Sequence, residues 1–519
     1  MPRGGAETLP GLVGDLAARA ADDAALIFED ETVSFGELDR RSACVAGALD
    51  ALGVRAGDRV ALWLPNCLAW FDLHLALARL GAITIAINTR FRAREVEDLL
   101  TRSEASMLAV WPGFAGIDFL SILGEVDAPA LRTTVCVGGE GAGLPYEDLL
   151  AHRPGRDASA PDARCIAFTS SGTTGRPKLV THAQRGLVAH ARAVARGFGY
   201  DRAGARVLGM LPVCGVFGYD SALGALAGGA PVVLQAAFDA AEAASLVAEH
   251  RITHANGSDT MLLRLLEHAP DPPLREAGFA AFDGDPRRVV DAAEAAGTTA
   301  YMCYGSTEVQ ALLAHAPLDG SPERRAIAGG EPVSRETAVR VRSLDGDELL
   351  GPGEEGELEI AGPSVMAGYL GDDAAERDAF TADGFVRSGD LGRLTEHGFA
   401  FVARRGDVLR LGGFLVSPRE IEAFLEADDA VCEASVVAAE QDGVQRPVAF
   451  VVARDGAELD ETAAIERCRG ELAAFKVPRR VVVLDELPAT DGANGRKVQR
   501  AELRRRAATA LQDLSPVPR

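Results

Sequence analysis

At 519 residues the chain exceeds what one compact core accommodates, so at least two domains are expected. Hydrophobic residues make up 47% and charged residues 25%, ordinary globular chemistry, and no apolar run approaches the ~20 residues that span a bilayer. The 53 basic and 76 acidic residues leave a formal net charge of -23; this surface repels polyphosphate backbones, and no aromatic-interleaved basic run offers a nucleic-acid groove.

Eight cysteines are scattered singly with no C-x-x-C pair, and nine histidines form no H-E-x-x-H cluster, which argues against structural zinc and a disulfide framework. The N-terminus carries no basic-then-apolar signal segment, so a reducing, cytoplasmic setting is expected. Composition sets no subunit count.

In chain order, Leu38, Val45, Leu49 and Leu52 recur at helical spacing before Gly53. Residues 60–64 predict a strand, followed by Pro65 and a helix over 67–80. Strands are expected at 83–87 and 107–111, with a polar stretch at 90–102, and again at 206–211, 231–234, 252–255, 279–282 and 299–303. Alternation of this kind is that of α/β layers with crossover helices. Beyond roughly residue 340, short alternating strands between glycine-rich turns point to a β-rich subdomain. The polar junction Ala403-Arg404-Arg405-Gly406-Asp407 is the best domain boundary. After it, a helix at 418–425, strands at 431–438, 447–453 and 480–484, an amphipathic stretch at 461–474 and a basic terminal helix compose a small α+β domain.

Four strings carry chemistry. Directly after the apolar run Cys165 to Phe168 comes Thr169-Ser170-Ser171-Gly172-Thr173-Thr174-Gly175-Arg176-Pro177-Lys178. Hydroxyls and backbone N–H groups donate there, two glycines let the chain approach a ligand, and a lysine supplies charge, as a phosphate grip requires. Its spacing is not that of GxxxxGK[ST], which disfavours an ordinary P-loop NTPase. Next is Tyr304-Gly305-Ser306-Thr307-Glu308, where a tight glycine turn would expose the tyrosine ring for stacking and let Thr307 and Glu308 face a polar ligand. A carboxylate beside phosphate makes sense mainly through Mg²⁺; the plain alternative is a solvated glutamate.

In Arg387-Ser388-Gly389-Asp390-Leu391-Gly392, an aspartate between glycines can accept two hydrogen bonds from a ribose diol, or can simply close an Asx turn. Arg404 follows within reach of the same nucleotide or of a surface acid. Near the C-terminus, Asn494-Gly495-Arg496-Lys497-Val498-Gln499-Arg500 sets a lysine after a glycine turn, positioned to deliver charge or to cap a helix.

Together with the Arg404-to-Glu422 hinge region, these ordered motifs resemble the adenylate-forming superfamily of acyl-CoA synthetases, luciferases and peptide-synthetase adenylation domains, over roughly residues 20–508. The resemblance implies an α/β fold: a large multi-subdomain N-terminal domain, residues 1–403, with layered mixed sheets and a β-rich subdomain, plus a small mobile α+β C-terminal domain, residues 404–519. It implies that Thr169 through Lys178 wrap the β,γ-phosphates of ATP, that Gly284 and Asp285 border the adenine, and that Tyr304 stacks on it. Thr307 would touch the α-phosphate, Glu308 would hold Mg²⁺, and Asp390 with Arg404 would bind the ribose. Lys497 best matches the lysine that engages the substrate carboxylate and α-phosphate.

Three positions depart from the family pattern. Gly215, in Leu211-Pro212-Val213-Cys214-Gly215-Val216-Phe217-Gly218, stands where histidine is usual, leaving either a deeper acyl pocket, one filled by Phe217 or Tyr219, or a tight turn. Gly406 stands at the hinge position, where glycine still permits rotation. Arg496 interrupts the usual glycine-lysine pair; Lys497 is the favoured occupant of the catalytic slot and Arg496 the other.

An acyl pocket built from Cys214, Gly215, Phe217, Met302 and Gly305, with Asn256 and Ser258 nearby, suits a monocarboxylic fatty or aromatic acid better than a dicarboxylate, which would want an arginine. Asn256 and Ser258 leave room for a hydroxylated acid. Coenzyme A is the expected thiol acceptor, since no carrier domain is fused. A stand-alone ligase loading a carrier protein, and an impaired nucleotide- or acyl-binding homologue, are the two rival readings.

Overall fold

The computed structural model describes residues 6–512 apart from 140, 142, 171–176, 269–270, 272, 282–284, 406–408, 412–413, 417, 442–443, 473 and 493–494. The side chains at 410, 414–415, 491–492 and 495–497 also lie outside the described set. The chain divides into two compact units: residues 1–341, 359–388 and 394–400 form the first, and 342–358, 389–393 and 401–519 the second.

The first unit is α/β, built on two eight-stranded sheets. One runs in the order Gln310–His315, Thr299–Ser306, Glu276–Ala280, His254–Ser258, Val207–Gly209, Val232–Leu234, Ala24–Phe28, Glu31–Ser34, parallel within and antiparallel at both edges. The other runs Gly368–Tyr369, Leu179–Ala183, Arg164–Thr169, Ile83–Ala86, Arg59–Trp63, Met107–Val110, Thr133–Cys136, Leu144–Pro145. Parallel strands covered on both faces read as unbroken apolar runs, which is why Arg59–Trp63 and Ile83–Ala86 stand out in the sequence.

Helices Leu68–Leu80 and Val216–Gly228 are apolar around most of their circumference, so both sit in the core rather than on its rim. The charged and histidine side chains on Leu68–Leu80 are partnered, whereas the buried Trp70 indole N–H has no partner among the described residues. Asp72 meets Arg41 Nε at 2.9 Å and accepts from the Tyr146 hydroxyl at 2.5 Å, Arg79 pairs with Asp39, and His74 reaches Thr84 and the Tyr219 hydroxyl, each at 2.9 Å. Tyr219 is thereby committed to the core, its ring edge-on to Trp70 and Phe168, instead of filling the space that Gly215 leaves.

Strand Gly329–Gly330 pairs antiparallel with Gly398–Arg404, setting Gly329 opposite Ala400 and Gly330 opposite Phe399. The second unit contains the α+β element set expected beyond residue 404: strands Val431–Gln441, Val444–Ala453 and Arg480–Leu484 in one sheet, with helices Pro418–Glu426, Glu461–Glu471 and Arg500–Gln512.

Predicted and observed elements agree closely where apolar runs are bounded by Gly or Pro, as at Arg59–Trp63, Leu68–Leu80 and Arg480–Leu484. Among the strands that shift are three in the first unit. His254–Ser258 starts later than 252–255, and Glu276–Ala280 starts earlier than 279–282, because their mutual register pairs His254 with Glu276. Thr299–Ser306 outruns 299–303 because it pairs antiparallel with Gln310–His315. The polar 90–102 stretch contains helix Ala93–Ser103, which buries Val96, Leu99 and Leu100 on one face.

Candidate active site

Both ends of the hydroxyl-rich string are held in the sheet. Thr169 ends strand Arg164–Thr169 and pairs with Leu179, while Ser170 N–H donates to Lys178 O at 2.9 Å, so the two ends of the string lie side by side. Ser171, Gly172, Thr173, Thr174 and Gly175 lie outside the described residues. Arg102 Nη2 donates to Pro177 O at 2.8 Å, anchoring the return. The Lys178 ammonium then sits 4.5 Å above the Tyr369 ring.

Tyr369 brings the second motif to the same place. Strand Gly368–Tyr369 pairs with Leu179–Ala183, and the Tyr369 hydroxyl donates to Glu308 Oε1 at 3.2 Å. Gly368 adopts φ +123, a backbone conformation that glycine takes readily, beside the carboxylate end of the Glu376 side chain. Burial, reinforced by the Glu308 charge, pushes the Tyr369 phenol well above its usual range, so it remains a donor at neutral pH. Nothing in the local sequence marks Tyr369; only strand pairing carries it to Glu308.

Thr307 and Glu308 are half-buried and fixed through their backbones. Thr307 O accepts from His182 Nε2 at 2.8 Å, and Glu308 O accepts from Met366 N–H at 2.8 Å. Tyr304 departs from its expected setting. It lies within strand Thr299–Ser306 rather than on an exposed turn, is 5% exposed, and packs edge-on to Phe399 with centroids 4.9 Å apart. Gly305 is demanded by packing, since a Cβ there would lie 2.3 Å from the carbonyl oxygens of Gln310 and Ala311.

Asp285 is exposed and caps helix Pro286–Ala295 by accepting from Arg287 N–H at 3.0 Å; Gly284 lies outside the described residues. Among the pocket candidates, Cys214, Phe217 and Met302 are buried, and Gly215 forms the N-cap of helix Val216–Gly228. Burial pushes the Cys214 thiol up to about 12, so it stays a thiol. Asn66 shapes this segment: its amide nitrogen donates to Gly209 O, Leu211 O and Gln235 O, and its oxygen accepts from Val213 N–H at 2.8 Å. The room for a hydroxylated acid expected at Asn256 and Ser258 is reduced. Asn256 Nδ2 is engaged with the Tyr200 hydroxyl at 2.7 Å and Ser221 Oγ at 2.8 Å, and Ser258 caps helix Asp259–Glu267.

In the second unit, Asp390 lies in strand Val386–Thr395, not in an Asx turn, with Arg404 Nε 3.1 Å from Oδ1. Beside it Gly389 adopts φ +69. Its N–H donates to Glu357 Oε1, and Glu357 Oε2 pairs with Arg405 at 2.7 Å. Lys497 occupies strand Gly495–Val498, opposite Thr490; its side chain, that of Arg496, and the hinge residues Gly406 and Asp407 lie outside the described set.

The donor set of the first unit fits a magnesium-bound triphosphate. Thr169 and Ser170 carry hydroxyls, Lys178 carries a cation, and Tyr369 touches both Lys178 and Glu308. One carboxylate suffices, because Mg²⁺ binds through one or two carboxylates plus substrate phosphates. Among the described residues, no helix is long and apolar enough to cross a membrane.

Residues 15–370 match the AMP-binding enzyme family and residues 420–493 the AMP-binding enzyme C-terminal domain. A methyl-dioxo-octahydroindenyl-propanoyl:CoA ligase of Mycobacterium tuberculosis is 33% identical, covering 96% of this chain and 99% of its own. A sulfoacetate–CoA ligase of Cupriavidus necator is 31% identical over 96% and 97% of the two chains. The crystal structure of ATP-bound MatB from Rhodopseudomonas palustris superposes with a TM-score of 0.83 at 26% identity, covering 97% of this chain and 99% of that one. A full-length match of this kind, on a fold that places Lys178 and Glu308 around one tyrosine, identifies the chain as a member of the AMP-binding enzyme family, the adenylate-forming ligases of the acyl-CoA synthetase superfamily.

Proposed function

We propose that the protein is an ATP-dependent ligase joining a fatty or aromatic carboxylic acid to coenzyme A through an acyl-adenylate, with release of pyrophosphate and AMP. The observation that supports this reading is the meeting of Lys178 and Glu308 on Tyr369, the two side chains proposed to bind phosphate and magnesium. Two relatives of 33% and 31% identity that are named CoA ligases favour coenzyme A as the acceptor. A cytoplasmic setting belongs to the same reading and is supported by eight free cysteines.

A carboxylate is a poor electrophile, because a thiolate attacking it would have to expel oxide. In the proposed first step the substrate carboxylate oxygen bonds to the α-phosphorus of ATP and the bond to the bridging oxygen of pyrophosphate breaks. In the second, the thiolate of coenzyme A adds to the acyl carbon and AMP departs. Thr169 through Lys178 hold the β,γ-phosphates and Thr307 the α-phosphate. Gly284, Asp285 and Tyr304 border the adenine, and Asp390 with Arg404 the ribose. Glu308 would hold Mg²⁺, which would supply positive charge to neutralise the departing pyrophosphate. Lys497 aligns the carboxylate with the α-phosphate. Cys214, Gly215, Phe217, Met302 and Gly305 line the acyl side. Residues 404–519 form the domain that swings between the two steps, with Gly406 at the hinge.

The test is acid-dependent ATP–pyrophosphate exchange with Mg²⁺ across a panel of fatty and aromatic acids, followed by AMP release with and without coenzyme A. Exchange together with coenzyme A-dependent AMP release is expected. Exchange without coenzyme A turnover would point to carrier-protein loading, and ATP binding without exchange to a binding protein.

A further inference from the structure

Strands Thr299–Ser306 and Gln310–His315 do not pair evenly. Tyr304 faces Ala314 and Ser306 faces Gln310, so residues 311–313 are set against Gly305 alone. A bulge of this kind leaves backbone groups without a cross-strand partner. Its tightness shows in Gln310, which is fully buried and adopts φ +66, and in Gly305, where no Cβ fits beneath the carbonyls of Gln310 and Ala311.

Two buried side chains from separate elements grip this bulge. Asp220, on helix Val216–Gly228, accepts from Ala311 N–H through Oδ2 at 2.7 Å. His182, on strand Leu179–Ala183, reaches Thr307 O through Nε2 at 2.8 Å. Both side chains are 1% exposed. A carbonyl only accepts, and burial pushes the His182 imidazole down to about 4, so the ring is neutral with its proton on Nε2. Burial likewise raises the Asp220 carboxyl well above the usual range, and its neighbour His190, 3.7 Å away, is held neutral by the same cause. Asp220 serves here as the hydrogen-bond acceptor for Ala311 N–H. An apolar residue at 220 would avoid the desolvation penalty of a buried carboxyl, but it would leave Ala311 N–H unsatisfied.

We propose that Asp220 and His182 are positioning residues that hold the Thr307–Glu308 turn, and through it the groups that meet the α-phosphate and Mg²⁺. The inference rests on the roles given to Thr307 and Glu308 above. It extends them to two residues that do not themselves touch the nucleotide.

The test measures MgATP binding to the full-length protein by calorimetry, without any acid, beside the thermal midpoint and the Mg²⁺ demand of exchange. Asp220→Ala should weaken MgATP binding about tenfold, the lower range for losing a group that orients a metal-binding residue. Asp220→Asn, whose amide oxygen still accepts from Ala311 N–H, should bind as wild type does. His182→Ala should weaken binding, and His182→Gln, which keeps a donor, should restore it. Equal losses in D220A and D220N, or a lowered thermal midpoint with unchanged MgATP affinity, would overturn the proposal. If D220A does not fold, the His182 pair decides. Wild-type protein that binds MgATP yet shows no exchange would sink the ligase reading alone, because binding still reads the positioning effect.

Discussion

Tyr369 and Glu308 are joined by a hydrogen bond of 3.2 Å across 61 residues of sequence, and the same tyrosine ring lies beneath Lys178. One side chain thus sets the spacing between the cation that ends the phosphate string and the carboxylate proposed for magnesium. Tyr369→Phe removes the first contact and keeps the second. The Mg²⁺ concentration for half-maximal exchange should rise about tenfold, the scale seen when a group orienting a metal ligand is lost. An unchanged Mg²⁺ titration would show that Glu308 needs no such support.

Lys497→Ala should lower ATP–pyrophosphate exchange by roughly a hundredfold or more, as when a charge-stabilising donor is removed from a transition state. Thioester formation from supplied acyl-adenylate should be spared. Arg496→Ala is the companion variant, and a larger loss of exchange there would move the role one residue upstream.

Asp390, in its strand beside Arg404, is proposed to accept from the ribose hydroxyls. Wild-type protein should then favour ATP over 2′-deoxy-ATP by about tenfold, since a hydrogen bond to a charged group contributes ~1.5 kcal/mol or more. Asp390→Ala should bind both nucleotides equally weakly. Persistence of the preference in D390A would remove the aspartate from the ribose site.

Acid should destabilise the fold. Burial holds His74 and His190 at about 3, and His182 and His254 at about 4, against about 6.5 in the unfolded chain. Groups with depressed folded values contribute stability that is complete above pH 6.5 and lost as the pH falls toward 4 and 3, because the unfolded chain binds more protons there. Asp72, raised to about 6 by burial, and Asp220 and Glu426, raised by the same cause, act in the opposite direction, but the four histidines outnumber these three. Urea midpoints measured from pH 7.5 to pH 5 should fall steadily. A flat profile would mean that these rings protonate without unfolding the chain.

Local signals survive in the sequence wherever a short apolar run ends at Gly or Pro, and those elements were legible: Arg59–Trp63, Leu68–Leu80 and Arg480–Leu484 need no distant partner to be recognised. Strand ends were less so. The reach of Thr299–Ser306 through Tyr304 depends on pairing with a later strand, and with it goes the burial of the tyrosine ring.

The ordered strings at 169–178, 304–308, 387–392 and 494–500, together with the hinge region at 404–422, marked the family by resemblance, and the family match bears that out. The contacts of Tyr369, His182 and Asp220 could come only from the folded chain. Each acts across a gap of 61 to 125 residues through one hydrogen bond, and no periodicity or local spacing encodes which strand will lie beside which. Sheet order made that choice, by setting Gly368–Tyr369 against Leu179–Ala183 and bulging the chain at Gly305 over Ala311.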